Sequence, residues 1–143
     1  MTDEQGLEVS TNSADVVSVV DKFGKDLLSM GKGVTDILDQ VDKHPECTLI
    51  QSYAACVFLY GQTKETDAQA KKYLSRAKST LKYANQREKL FLSSIEDWSQ
   101  GRIEEGAQKL EHLIKEWPED MISAKVLEFF IICAVSNIRG QDF

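Results

Sequence analysis

The sequence has little of what interrupts regular secondary structure. Its 143 residues include two prolines and eight glycines, which excludes collagen-like, proline-rich and linker-like chains. An excess of positive charge is also missing, because 17 Lys and Arg stand against 23 Asp and Glu for a net charge of −6. A nucleic-acid-binding domain normally needs a basic excess to displace phosphate counterions. We therefore expect no nucleic-acid partner.

Targeting and membrane signals are missing as well. The first thirteen residues are polar and acidic, without the basic and apolar stretches of a secretory or mitochondrial leader. The most apolar run, Val126–Val135, is interrupted by Glu128 and reaches about half of the roughly 20 residues that a membrane span requires. These observations predict a cytoplasmic protein with no membrane partner.

Residues that carry catalysis or bind metals are sparse. His44 and His112 have no second His or Cys at metal-ligand spacing. The sequence contains no nucleophile-elbow, dinucleotide-binding or phosphate-loop motif. Three cysteines match no metal-binding spacing and are interpreted as reduced, buried thiols: Cys47, Cys56 and Cys133. We expect no catalytic residue, metal or cofactor. An enzyme is therefore a weaker hypothesis than a peptide-binding scaffold or a self-assembly module.

Helical periodicity, by contrast, extends over nearly the whole chain. Ser13 is an N-cap candidate after a lead-in of residues 1–12, which we expect to be flexible. Apolar residues at helical spacing predict seven helices, at about 13–28, 34–43, 47–60, 67–84, 86–100, 103–117 and 120–138. The clearest stripe, in the fourth helix, comprises Ala70, Tyr73, Leu74, Ala77, Leu81 and Ala84. Because no segment alternates with period two, the sequence predicts an all-α domain over residues 13–143.

A partial repeat organises these helices. The spacing from Gly33 to Pro45 recurs from Gly106 to Pro118, 73 residues later, which is close to two units of a 34-residue repeat. A weaker third copy begins near Ala70 but lacks the terminal proline. This pattern is typical of stacked helix pairs, although an ordinary helical hairpin can also show it.

The best copy fits a tetratricopeptide (TPR) frame from Arg87 to Asp120. Gly101 lies in the turn, and Gly106 takes the small-residue position where paired helices touch. The TPR pattern prefers Trp, Leu, Gly and Tyr where this sequence has Leu90, Ser93, Ser94 and Asp97. Despite that departure, we expect the packing of the repeats to depend on Gly33, Pro45, Ala70, Gly101, Gly106, Leu110 and Pro118.

The most distinctive stretch begins with Arg87-Glu88-Lys89-Leu90, continues through Trp98 and Gly101, and ends with Pro118-Glu119-Asp120. Together with the Gly33–Pro45 unit, it resembles the N-terminal part of the tetratricopeptide repeat protein 38 family, over about residues 7–138. The resemblance implies an all-helical, TPR-like right-handed solenoid of antiparallel helix pairs that is considerably longer than this chain. It implies no known reaction and no assigned catalytic residue.

Stacked helix pairs form a concave surface, so the sequence predicts a non-catalytic scaffold that binds a protein or peptide there. The first helix of each pair normally lines that surface, and its candidate residues are Tyr53, Phe91, Ile95 and Trp98. The alternative interpretation of these side chains is that they form the core. A basic flank of the fourth helix, Lys71, Lys78 and Lys82, is either a docking strip for an acidic partner or a solvated face.

The rival hypothesis is a self-assembly module that uses the apolar C-terminal helix. Residues 120–138 carry a wide apolar face, which includes Leu127, Phe130 and Ile131 and is extended by Phe129 and Ile132. A large exposed apolar surface usually marks an interface or an absent neighbour. We expect this helix either to form a homodimer or to be covered by a further helix of a longer protein.

Overall fold

The structure of the protein is a computed structural model that describes the backbone of residues 1–141 and the side chains of residues 1–135. The chain forms seven α-helices: α1 (Ala14–Leu28), α2 (Ile37–Gln40), α3 (Thr48–Tyr60), α4 (Lys64–Ser79), α5 (Gln86–Ser99), α6 (Ile103–Glu116) and α7 (Met121–Gln141). Over this described backbone there is no β-strand, only an isolated antiparallel bridge between Thr2 and Glu8. The predicted all-α class with seven helices is confirmed.

Side-chain caps set several of the helix boundaries. The hydroxyl of Ser13 accepts a hydrogen bond from the Val16 amide at the start of α1, as predicted. Thr63 and Thr66 cap each other's backbone amides at the start of α4. Because of this reciprocal cap, α4 begins at Lys64, and the loop predicted over residues 61–66 is shorter than expected.

Two of the predicted helices are less regular than the apolar pattern suggests. The predicted second helix is a four-residue α2 between 3₁₀ segments at Lys32–Asp36 and Val41–Lys43. The predicted fourth helix ends at Ser79 and is followed by a 3₁₀ segment at Leu81–Tyr83. Both regions still bury part of the expected apolar face, including Ile37, Val41 and Leu74, whereas Leu81 and Ala84 are half-buried.

Helix α3 lies at the centre of the core. Every residue from Thr48 to Cys56 is buried, which fits a helix that is apolar on nearly all sides. α3 packs most extensively against α4, α5 packs against α6, and α5 also contacts both α3 and α4. Helices α3 to α6 therefore form two neighbouring hairpins around one continuous core.

The last helix closes the bundle by contacting the first. α7 packs against α6 and also against α1, where Gly24 faces the side chain of Ile122. In an open solenoid each repeat contacts only its sequence neighbours. The contact between α1 and α7 is one that such an open stack does not contain.

The segment before α1 differs from the flexible lead-in that the sequence predicts. Leu7 and Val9 are buried in this segment, and the backbone of residues 8–10 is hydrogen-bonded to α5 side chains. Because residues 1–12 are mostly polar, their composition does not predict that Leu7 and Val9 are buried. In the structure, residues 1–12 are packed against the helical domain.

Residues predicted to shape the repeats lie in different environments. Gly106 is buried at the contact of α5, α6 and α7, and a Cβ atom there would lie 2.9 Å from both Phe130 Cε2 and the Ser94 carbonyl oxygen. Ala70 and Leu110 are buried, and Gly101 adopts a φ of 79° in the turn between α5 and α6. Gly33 lies close to the side chains of Asp26 and Lys22 on α1. The two prolines lie exposed after their helices: Pro45 and Pro118.

Candidate interaction surfaces

Three of the four predicted groove residues are core residues. Tyr53, Phe91 and Ile95 expose 2%, 1% and 0% of their surface. The ring of Phe23 on α1 stacks on Tyr53 at 4.7 Å, and Tyr53 meets Phe91 edge-on at 5.3 Å. Because all three side chains are buried in the core, they cannot contact a partner in this structure, and the alternative interpretation as core describes them.

Trp98 is half-buried in an aromatic cluster that joins α3, α5 and α7. Its ring lies 5.4 Å from those of Tyr60 and Phe129 and 4.8 Å from that of Phe130. Tyr60 and Phe129 are themselves in contact at 4.4 Å. The cluster forms the wall of a groove on the neighbouring surface, so Trp98 lies behind that surface rather than on it.

An apolar groove with a volume of about 490 Å³ opens between the end of α1, the end of α3 and the middle of α7. Apolar side chains from all three helices and from the turn after α1 line it: Leu27, Met30, Val34, Val57, Tyr60, Phe129 and Ile132. Charged groups of both signs, Asp26, Lys125 and Glu128, lie at its rim. We call this feature the apolar groove.

The turn after α1 gives the groove its most exposed residue. Met30 has a φ of 56°, in the left-handed region, and 76% of its surface is exposed. On the opposite side Ile132 is exposed, and the surface continues along α7 through Ile131 and Val135. The apolar pattern of the seventh helix predicts an exposed face with Ile131 and Ile132, but it gives no role to Met30, since a single methionine after a helix carries no periodic signal.

The basic flank predicted for the fourth helix is solvent-exposed, but only Lys71 and Lys78 lie on α4, because Lys82 belongs to the 3₁₀ segment that follows it. Lys71 and Lys82 form no ion pair within the described side chains, whereas Lys78 Nζ lies 3.1 Å from Glu96 Oε2 on α5. The Lys82 ammonium lies 4.9 Å from the ring centre of the exposed Tyr83. The flank is therefore open to an acidic partner, although one of its three lysines is already neutralised within the chain.

Charged side chains are also buried, in a centre that the sequence did not reveal. Arg87 Nη1 donates to Asp120 Oδ2 at 2.8 Å, and the two side chains expose 3% and 1% of their surface. Burial raises the pKa of the neighbouring Tyr53 phenol well above its ordinary value, and Asp120 adds to that rise. In the sequence, Arg87 and Asp120 mark the two ends of the TPR frame, and nothing in their spacing indicates that they form a buried ion pair.

The carboxylate of Asp97 is a second buried charge, paired at the bundle surface. It lies 2.7 Å from both Arg102 Nη2 and Lys109 Nζ. Burial opposes its ionisation, but the hydrogen bonds from Lys109 and Arg102 outweigh that effect and lower the pKa of Asp97 below 3.8. The ionised carboxylate therefore ties the α5–α6 turn to both of its helices.

This pairing predicts a specific loss of stability in acid. Since the Asp97 pKa is lower in the folded chain than in the unfolded chain, its contribution is complete above about pH 4–5 and is lost as the pH falls through the lowered value. We expect Asp97→Asn to cost about 1–2 kcal/mol at pH 7 and to flatten the decline in acid. Urea unfolding at a series of pH values measures both, and an unchanged slope would contradict the assignment.

Within the described residues there is neither a cluster of metal-ligating side chains nor a helix that could cross a membrane. Among them, no group of three or more His, Cys, Asp and Glu side chains is arranged to hold a metal. None of the described helices combines the length and the apolar content that crossing a bilayer requires.

Known proteins offer no guide, because no protein family, curated protein or solved structure matches this chain. The resemblance to the tetratricopeptide repeat protein 38 family stays a prediction.

Proposed function

We propose that the protein is a non-catalytic interaction module that binds an apolar segment of another protein in the apolar groove. The observation that carries this proposal is the exposure of Met30 and Ile132 on opposite sides of a preformed depression. Contiguous exposed apolar surface is uncommon on a soluble domain unless a partner covers it. The scaffold is proposed to be TPR-like, with α3–α4 and α5–α6 as two stacked helix pairs, and to act in the cytoplasm.

The chemistry of the groove favours a helical partner with apolar anchors. Methionine adapts its shape to different neighbours and is common on surfaces that accept such helices. The aromatic wall behind the groove, formed by Tyr60 and Phe129, gives a rigid base for an inserted side chain. Lys125 and Glu128 at the rim can pair with charges that flank the anchors on the partner.

Peptide selection tests this proposal. A phage-displayed random peptide library selected on the full chain is expected to yield sequences with apolar residues at helical spacing. Met30→Asp and Ile132→Asp should each weaken the selected peptides by about tenfold or more, because an aspartate places an unpaired charge in the apolar contact. Fluorescence anisotropy with labelled peptides measures the change in affinity.

Two control variants separate the groove from other surfaces. Met121→Asp makes the same change at an exposed methionine at the start of α7, outside the groove, and should leave peptide affinity unchanged. The triple variant of the basic flank, Lys71→Glu with Lys78→Glu and Lys82→Glu, should keep both peptide affinity and stability within about 1 kcal/mol. Equal loss of binding with Met121→Asp would argue against the groove, and loss with the triple variant would move the site to α4.

Self-assembly through α7 is the second candidate function. Ile131 and Val135 are exposed on α7 and are not part of the groove lining. A two-fold pairing of α7 helices would cover them. Multi-angle light scattering over a range of concentrations tests this, and Ile131→Asp should abolish any dimer while leaving groove peptides bound.

A further inference from the structure

Polar side chains of α5 and of its N-cap form hydrogen bonds with the backbone of the N-terminal segment. Arg87 Nη2 and Asn85 Nδ2 donate to the Glu8 carbonyl oxygen at 3.1 and 3.0 Å. The Ser10 amide donates to Glu88 Oε2 at 3.0 Å. Two side-chain donors thus bind the carbonyl of Glu8, and one side-chain acceptor binds the amide of Ser10. An extended peptide presents a carbonyl and an amide at this spacing.

Alternate side chains of the same segment are buried, and Val9 belongs to the hydrophobic core. Leu7 and Val9 expose 4% and 0% of their surface, while Glu8 between them points to solvent. This alternation is that of an extended strand. Binding through main-chain hydrogen bonds, with specificity from alternate side chains, is the recognition mode of domains that capture extended peptides.

The side chains that hold the segment are fixed by partners of their own. Arg87 is oriented by Asp120, which also caps α7 by accepting from the Ser123 amide at 3.0 Å. Glu88 uses its other oxygen to accept from the Asn85 amide at 3.0 Å. These contacts do not involve residues 1–12, so the binding side chains keep their positions when the segment leaves.

From this geometry we propose that the start of α5 is a peptide-binding site that residues 7–10 occupy in cis. Its ligand class is an extended segment of another protein with two branched apolar side chains two residues apart, as in Leu7-Glu8-Val9. The chain's own segment competes for the site and lowers the apparent affinity for that partner. This site is separate from the apolar groove, and neither proposal depends on the other.

A trans-peptide experiment on the full chain tests the site. Leu7→Asp combined with Val9→Asp should release the segment, and a fluorescein-labelled peptide of residues 1–12 should then bind the variant chain. Wild-type chain should bind the same peptide about a hundredfold more weakly, because a site that is open about 1% of the time has its affinity reduced by that fraction. A control peptide carrying the same two aspartates should bind neither chain. A folded variant that fails to bind the natural peptide overturns the proposal.

Hydrogen exchange in the unmodified chain gives an independent test. If the segment leaves while the helices stay folded, the Ser10 amide exchanges through a local opening, about a hundredfold or more faster than α3 amides such as that of Ile50. Its rate should also be insensitive to low denaturant. Exchange of Ser10 only by global unfolding, with the same denaturant dependence as Ile50, would show that the segment is a fixed part of the core and would overturn the proposal.

Discussion

Arg87→Ala is expected to lower the free energy of unfolding by about 3–5 kcal/mol, because it leaves the buried carboxylate of Asp120 without its cation. The variant also removes one of the two donors to the Glu8 carbonyl oxygen. A loss of this size is a large fraction of the stability of a domain of this length. Urea unfolding followed by circular dichroism measures it.

Two comparisons distinguish a buried ion pair from a surface one. Arg76 pairs with Asp42 at the surface of α4, and Arg76→Ala should cost less than about 1 kcal/mol. Arg87→Met combined with Asp120→Asn removes both charges while keeping a capping oxygen near Ser123, and it should recover part of the loss. If Arg87→Ala is no more destabilising than Arg76→Ala, the pair is not buried in solution.

Gly106→Leu is expected to cost about 3 kcal/mol by overpacking the contact of α5, α6 and α7. Even a single added carbon at this position lies 2.9 Å from the Ser94 carbonyl oxygen, a backbone atom held within α5. Gly106→Ala should therefore be destabilising too, although alanine normally stabilises a helix interior by about 1 kcal/mol relative to glycine. Thermal unfolding of both variants measures the effect.

Gly24 provides the matched control for Gly106. It also lies within a helix at a close contact, but an added Cβ would meet only the end of the Ile122 side chain, at 3.1 Å. A side-chain end can rotate away, so Gly24→Ala should change stability by less than about 1 kcal/mol in either direction. Similar losses at Gly24 and Gly106 would mean that glycine is required by the helices in general rather than by the backbone contact.

Much of the helical framework could be predicted because it depends on local pattern. Of the six residues in the stripe predicted for the fourth helix, the four that lie on α4 are buried: Ala70, Tyr73, Leu74 and Ala77. Leu81 and Ala84 lie beyond the end of α4 and are half-buried. These predictions succeed because a helix of period 3.6 must bury whichever face is apolar. The start of the fourth helix was predicted near residue 67, but the Thr63 cap places the start of α4 at Lys64.

The site could not be predicted to the same extent, since pattern does not tell a groove from a core. Tyr53, Phe91 and Ile95 lie on the faces that line a groove in an open repeat, but here all three are buried, and Phe23 of α1 stacks on Tyr53. That helix is close in space and distant in sequence. Likewise, Leu7 and Val9 occur in a polar stretch too short for any period to be seen, and their binding side chains are about 80 residues away, as the separation of Ser10 and Glu88 illustrates.

The contact of α1 with α7 also governs how the chain gains and loses its structure. Gly24 and Ile122 are far apart in sequence, so that contact closes a loop of about 100 residues. An array that contacts only its neighbours can fray from one end, unit by unit. Here α1 lacks part of its packing until α7 has been synthesised and has docked, which ties the two helices to one cooperative transition.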